Sequence, residues 1–361
     1  MAQKIIYWLL VALIFSLGFG QLLRFNFFGL PLYLHDALVL VILIMFFISK
    51  KNFLNGLKGN RVLLLFLSGL VTGWIFALTK YSLTLLFLPS LYTLRLLSYL
   101  ALFYGIKYSK IQLPFSLFLI SGTITLLIGL VQYSYLPDMR PFQFLGWDDH
   151  LNRLTLPHYD PTFTGVMLSL FLLSLVKQIS KFHFPVMILI SLAILLTYSR
   201  SVWISLALTF GYFMVKHKQY KYLLVGVCLL VIPILFLPKK FGEGTNLLRT
   251  YSIESRFNSD LNYLQDFKFS LLTGRGLNTL MLENGAGERP NHATGPNNSY
   301  LYLLLTAGIL GLVGWLNIWR DIYQHSLYKP LLIFFFIASL FNNVMFYPFT
   351  LLWILLLEAN E

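Results

Sequence analysis

The residues able to do chemistry in this chain are mostly arginines set against apolar surroundings. Arg95 interrupts the run Tyr92-Thr93-Leu94-Arg95-Leu96-Leu97. A charge inside such a segment is costly in a bilayer, so it faces either a polar cavity that takes an anion or an ion-pair partner, and Asp36 is the candidate partner. Arg200 sits in Thr197-Tyr198-Ser199-Arg200-Ser201, the one break in an apolar stretch from Phe184 to Val215. It reads as an anion-binding group or, alternatively, as helix-end packing. The segment from Glu288 to Tyr300 concentrates hydrogen-bonding side chains, among them His292, Asn297, Asn298 and Ser299. His292 is either a general base, its unperturbed pKa lying near neutrality, or a solvated loop histidine. Trp147-Asp148-Asp149-His150 offers carboxylates and an imidazole for a divalent metal or sugar hydroxyls, or is an exposed acidic loop. His158, Asp160 and Thr162 are similarly open.

No phosphate-cradling glycine loop, nucleophile elbow or two-histidine zinc helix occurs. The energy for any reaction must come from an activated substrate or an ion gradient, and no cofactor or metal is called for. The net charge of +13 is spread between apolar runs rather than gathered on an arm, which excludes a nucleic-acid binder. Cys228, the single cysteine, lies within an apolar run and supports neither a disulfide nor a thiolate metal site.

The elements that must position these groups are membrane helices. With 57% hydrophobic and 11% charged residues, the chain has too little polar surface to coat a water-soluble globule. Apolar runs fall at 5–23, 33–49, 62–79, 84–106, 114–133, 162–176, 184–199, 202–215, 222–237, 299–319, 330–342 and 346–357. The first is read as a span, since no cleavage site follows it. The predicted fold is therefore all-α, a polytopic integral membrane protein of about twelve transmembrane helices in a single domain, 1–361.

Every second short loop is basic (Lys50, Lys51, Lys58 and Arg61; Lys107 and Lys110; Lys177 and Lys181; Lys216, Lys218 and Lys221; Arg320 and Lys329), which predicts that both termini are cytoplasmic. Segments 134–161 and 238–297 then face outward, and the second is a large extracytoplasmic loop. Within it, Leu261, Leu264 and Leu271 predict an amphipathic helix from Arg256, lying on the membrane mouth and ending at Gly274-Arg275-Gly276. The halves of the Phe184–Val215 stretch are each too short for a full crossing, so their turn should be recessed, its backbone satisfied by protein or a water-filled cavity. The last pair, 330–357, is also short. With Asn342, Asn343 and Pro348 near its middle, it is two helices or one long kinked span that would put the C-terminus outside.

Three stretches carry a family likeness: Thr197-Tyr198-Ser199-Arg200; Glu254-Ser255-Arg256 with the amphipathic helix and Leu272-Thr273-Gly274-Arg275-Gly276-Leu277; and Asn297-Asn298-Ser299-Tyr300-Leu301 leading to Gly308-Ile309-Leu310-Gly311. In this order they resemble the O-antigen ligase and O-antigen polymerase superfamily of bacterial surface-polysaccharide enzymes, mainly over 184–320, with Arg153 to Gly165 a less specific match. Asn298, Gly308 and Gly311 keep the family spacing, but Asn297 stands where family ligases have a histidine. An amide cannot accept a proton from an acceptor hydroxyl.

The resemblance implies a GT-C-like glycosyltransferase in the bacterial cytoplasmic membrane, among membrane lipids, with its active site on the outer face. It would transfer undecaprenyl-pyrophosphate-linked oligosaccharide to an acceptor glycan with inversion and without a metal. Catalytic roles fall to Arg200, Arg256 and His292, and substrate binding to Arg200, Arg256, Arg289, Asn297, Asn298 and Arg95. A polymerase of lipid-linked repeat units is the first reading, in which a chain-length regulator is a further partner. A ligase acting on lipid A core or protein is the second, and a lipid-linked sugar transporter the third.

Overall fold

The computed structural model of the protein describes residues 2–27, 30–49, 61–145, 149–176, 183–218, 235, 237, 243–246, 251–283 and 295–360. Helices occupy the predicted apolar runs that fall within them: α1 (Ala2–Leu17), α2 (Leu34–Ser49), α3 (Arg61–Lys80), α4 (Leu83–Ser109), α5 (Ser116–Tyr135), α6 (Pro161–Val176), α7 (His183–Leu196) and α8 (Arg200–Lys216). The polar segment that follows adds α9 (Tyr251–Asp266) and the single turns α10 (Ser270–Thr273) and α11 (Leu280–Glu283), before α12 (Ser299–His325), α13 (Lys329–Phe341) and α14 (Pro348–Ala359). The run 222–237, with Cys228, falls almost wholly outside the described residues.

Of these helices, α3, α4, α5 and α12 are long and apolar enough to cross a membrane, and α1, α2, α6, α7, α13 and α14 are shorter apolar helices. Large apolar side chains such as Phe47, Val71, Leu83, Leu127 and Val131 point outward. On a water-soluble protein they would be an aggregation surface; against lipid they are the expected exterior. The architecture is that of an α-helical membrane protein, with one β element that the sequence reading lacked. Between α1 and α2 the chain forms an antiparallel hairpin, β1 (Arg24–Phe27) and β2 (Leu30–Tyr33), with Arg24 opposite Tyr33. Its base is tied to the segment before α6 by Gln21, whose backbone N–H donates to the Pro157 carbonyl at 2.9 Å.

Helices α6 and α14 are buried on nearly every side, as a helix apolar around its whole circumference requires. Helix α6 packs against α5, α7, α8, α13 and α14, and α14 also against α1 and α4. Phe118, Phe171, Trp353 and Phe349 fill this centre.

Helices α13 and α14 settle the reading of the last apolar pair. The chain breaks after Phe341, passes through a 3-10 turn at Val344–Phe346 and restarts at Pro348, whose missing N–H suits a first helical turn. It then reverses: Ser326, just before α13, donates to Glu358 near the end of α14 at 2.8 Å. Asn360 donates to the Leu113 carbonyl at 2.6 Å, so α14 ends at the end of the bundle that carries Lys107 and Lys110. One long kinked span is excluded. At 1.5 Å per residue these helices rise only about 18–20 Å, less than the ~30 Å of hydrocarbon.

Candidate functional site

The site forms where two helix tips, 197–199 and 342–347, meet α9 and the start of α12. The first tip is a turn of backbone carbonyls among buried residues, and such groups need partners. Buried Arg153 supplies them, its Nε donating to the Thr197 carbonyl at 2.9 Å and its Nη2 to that of Tyr198 at 3.3 Å. The Leu154 N–H donates to the Leu196 carbonyl at 2.9 Å. Protein groups therefore satisfy the carbonyls of this turn. Ser199 then donates to Thr162 at 3.2 Å, which brings α6 to the tip.

Asn342, in the second tip, links three elements. Its Nδ2 donates to Ser201 Oγ of α8 at 3.0 Å, and its Oδ1 accepts from Arg256 Nη1 of α9 at 2.8 Å. Its backbone carbonyl accepts from Ser299 Oγ of α12 at 3.0 Å. Arg200, half-buried at the first residue of α8, feels the positive charge of Arg256. The two guanidiniums thus share one neighbourhood although about 55 residues separate them in the chain. Two like charges so placed repel each other, and an anion between them would relieve that repulsion.

Asp260 lies one turn beyond Arg256 on α9 and accepts from the Asn297 backbone N–H at 3.1 Å. Burial raises its pKa, while the hydrogen bonds from the Asn297 and Asn298 backbones and the charge of Arg256 pull the other way without cancelling the rise. Asn298 is the N-cap of α12, its Oδ1 accepting from the N–H groups of Tyr300 at 2.9 Å and Leu301 at 3.2 Å.

A glycine junction holds α3 and the turn after α10 to α12. Gly308 breaks α12 with φ +68° and ψ −176°, and the Thr306 carbonyl beside it accepts from the Arg275 N–H at 3.1 Å and the Gly276 N–H at 2.9 Å. Gly69 of α3 meets Gly311 so closely that a Cβ there would come within 2.2 Å of the Gly311 nitrogen. Arg275 donates to Glu283 at 2.6 Å, and Lys80 and Tyr81 donate to the same carboxylate. Burial would raise the Glu283 pKa, but these partners outweigh it and hold the carboxyl below its ordinary range.

The structure brings Arg200, Arg256, Asn297 and Asn298 together. For Arg95 it shows the ion-pair alternative: Nε and Nη2 donate to the two Asp36 oxygens at 3.0 and 2.6 Å, Tyr99 donates to the same carboxylate at 2.6 Å, and the pair joins α2 to α4. Arg289 and His292, with Trp147 and Asp148, lie outside the described residues. Asp149 is exposed, while His150 is buried and faces Asp160 with Nε2 3.9 Å from Oδ2. Asp160 caps α6 through the Thr162 N–H at 2.7 Å and the Phe163 N–H at 2.9 Å. His158 shares a hydrogen bond of 2.9 Å with the Tyr347 hydroxyl. Among the described residues, no three histidine, cysteine, aspartate or glutamate side chains gather as a metal set.

The amphipathic helix starts earlier than Arg256 and ends before Leu271. Its buried ring is Tyr263, and Leu261 and Leu264 remain exposed. The sequence reading missed Asn342 and Arg153 as parts of the site; a polar pair beside Pro348 in an apolar run was the available signal for the former. A family model described as O-Antigen ligase matches residues 185–316, which takes in Arg200, Arg256, Asp260, Asn297 and Asn298. No curated protein matches the chain.

Proposed function

We propose what this chain does from the premise that, through residues 185–316, it belongs to the O-antigen ligase and polymerase superfamily: it moves an oligosaccharide from a lipid-linked pyrophosphate to the hydroxyl of an acceptor glycan. The observation that carries this reading is that Asn342 bonds both Arg256 and Ser201, the neighbour of Arg200, so that Arg200 lies within the electrostatic reach of Arg256. A glycosyl pyrophosphate already has a good leaving group, and the charge that develops on it at the transition state is what a preorganised pair of guanidiniums stabilises. Asn342 holds Arg256 by its Oδ1, so part of the site is aimed before substrate arrives. The acceptor oxygen attacks the anomeric carbon from the face opposite the departing pyrophosphate, which inverts the configuration. The short α13–α14 pair supports a site recessed from one membrane surface, which we take as the outer face of the bacterial cytoplasmic membrane, where lipid-linked oligosaccharide is presented.

Within the family we favour polymerisation of lipid-linked repeat units over ligation to lipid A core or protein, because Asn297 offers an amide where family ligases offer an imidazole. The purified protein, given an undecaprenyl-pyrophosphate-linked repeat unit, should yield a ladder of longer lipid-linked glycans. Consumption of donor only with a lipid A core or protein acceptor would identify a ligase, and no consumption with any acceptor would end the transferase reading. Arg200→Ala and Arg256→Ala should each lower turnover by about 10²–10³-fold, the loss seen when a transition-state hydrogen-bond donor is removed. Undiminished turnover would remove that arginine from the site.

A further inference from the structure

Transfer to a hydroxyl needs a group that takes the hydroxyl's proton as the new bond forms. Resting on the transferase reading above, we propose that Asp260 is this general base.

Its placement is the reason. Asp260 and Arg256 are four residues apart on α9 and therefore share a helix face. Arg256 reaches Asn342 at 2.8 Å, while Asp260 is pinned to the start of α12 by the Asn297 N–H at 3.1 Å. The carboxylate is thus fixed at the junction of α9 and α12, beside the arginine pair that receives the leaving group. It has capacity for the work, since a carboxylate offers about four lone-pair sites and the backbone N–H groups of Asn297 and Asn298 take only part of them.

Three buried or half-buried carboxylates are committed elsewhere. Asp36 is held by the Arg95 fork and Tyr99. Glu283 is held by Arg275, Lys80 and Tyr81, and Asp160 caps α6. Glu254 and Asp266, on the same helix as Asp260, are exposed. Partial burial also makes Asp260 a better proton acceptor than a solvated aspartate, since it raises the carboxyl's affinity for a proton.

The step balances. The acceptor oxygen bonds to the anomeric carbon, the bond from that carbon to the pyrophosphate oxygen breaks with its electron pair staying on the phosphate beside Arg200 and Arg256, and the hydroxyl proton passes to the Asp260 carboxylate. Solvent then takes the proton.

The test compares wild type, Asp260→Asn, Asp260→Glu and His292→Ala on the lipid-linked repeat unit, with donor binding and pH profiles measured alongside. Asp260→Asn keeps an oxygen for the Asn297 N–H but cannot take a proton. It should bind donor as wild type does and lose about 10²–10⁴-fold in transfer. Asp260→Glu should recover part of the rate with the acid limb of its pH profile displaced. Transfer by Asp260→Asn within about threefold of wild type overturns the proposal, as does His292→Ala abolishing transfer while Asp260→Asn retains it. Should Asp260→Asn fail to fold, Asp260→Glu decides: an undisplaced acid limb overturns the proposal and a displaced one upholds it. A wild-type protein that consumes no donor at all defeats the transferase reading and not the assignment of the base alone.

Discussion

At the scale of the residue, the site depends on side chains that do no chemistry themselves. Asn342 accepts from Arg256 and donates to Ser201 at once, so one short amide holds a guanidinium and a helix tip in register. Asn342→Ala removes both bonds but leaves the backbone carbonyl that Ser299 uses. We expect transfer to fall by about 10²-fold, the cost of a small misplacement of a reacting group, with the folded protein retained in detergent. Transfer kinetics beside a thermal melt check this, and an unchanged rate would show that Arg256 is aimed by something else. Arg95 makes the opposite point. Its type and setting suggested an anion site or an ion pair, and only the proximity of Asp36 and Tyr99 decides for the pair. Arg200 and Arg256 look no different from Arg95 as letters. What separates Arg256 from Arg95 is its partner, since the Asn342 amide oxygen takes its Nη1 where Asp36 takes the Arg95 fork.

At the scale of the element, the outcome turns on where helices stop. The apolar runs were legible because a bilayer requires long uninterrupted apolar segments. The break inside α12 was not legible as a break, although Gly308 and Gly311 stood out. Gly308 takes a backbone conformation that is almost exclusive to glycine, and a Cβ there would approach the Leu272 carbonyl oxygen to 2.4 Å. Gly308→Ala should therefore destabilise by about 1–3 kcal/mol from backbone strain, and the clash should push the Thr273–Gly276 turn off the Thr306 carbonyl. The expected result is a lower melting temperature together with reduced transfer. A melting temperature equal to wild type would mean that α12 can straighten without cost.

At the scale of the whole molecule, the buried polar groups behind the site tie folding to pH. His158 lies in the segment before α6, fully buried against Tyr347, and burial holds its imidazole neutral down to about 3 from an ordinary 6.5. The unfolded chain takes up that proton as pH falls through 6.5, whereas the folded protein does not until about 3. The stability that His158 contributes is thus complete above 6.5 and is lost as pH falls through that window. Thermal melts between neutral and acid pH should fall more steeply for wild type than for His158→Gln, and equal slopes would assign the acid sensitivity to other groups.

By itself the sequence determined that this is a helical membrane protein and where its apolar helices run, and it singled out the motifs around Arg200 and Arg256, because hydropathy and short motifs are local properties of the chain. Only the tertiary structure decided that the last pair is a hairpin, that Arg95 is spent on Asp36, and that Asn342 joins Arg256 to the turn that carries Arg200 while Asp260 joins α9 to the start of α12. The reason is physical: a site built from two helix tips and a helix on a separate segment exists only when packing closes the distances between them, and no spacing along the chain encodes that closure.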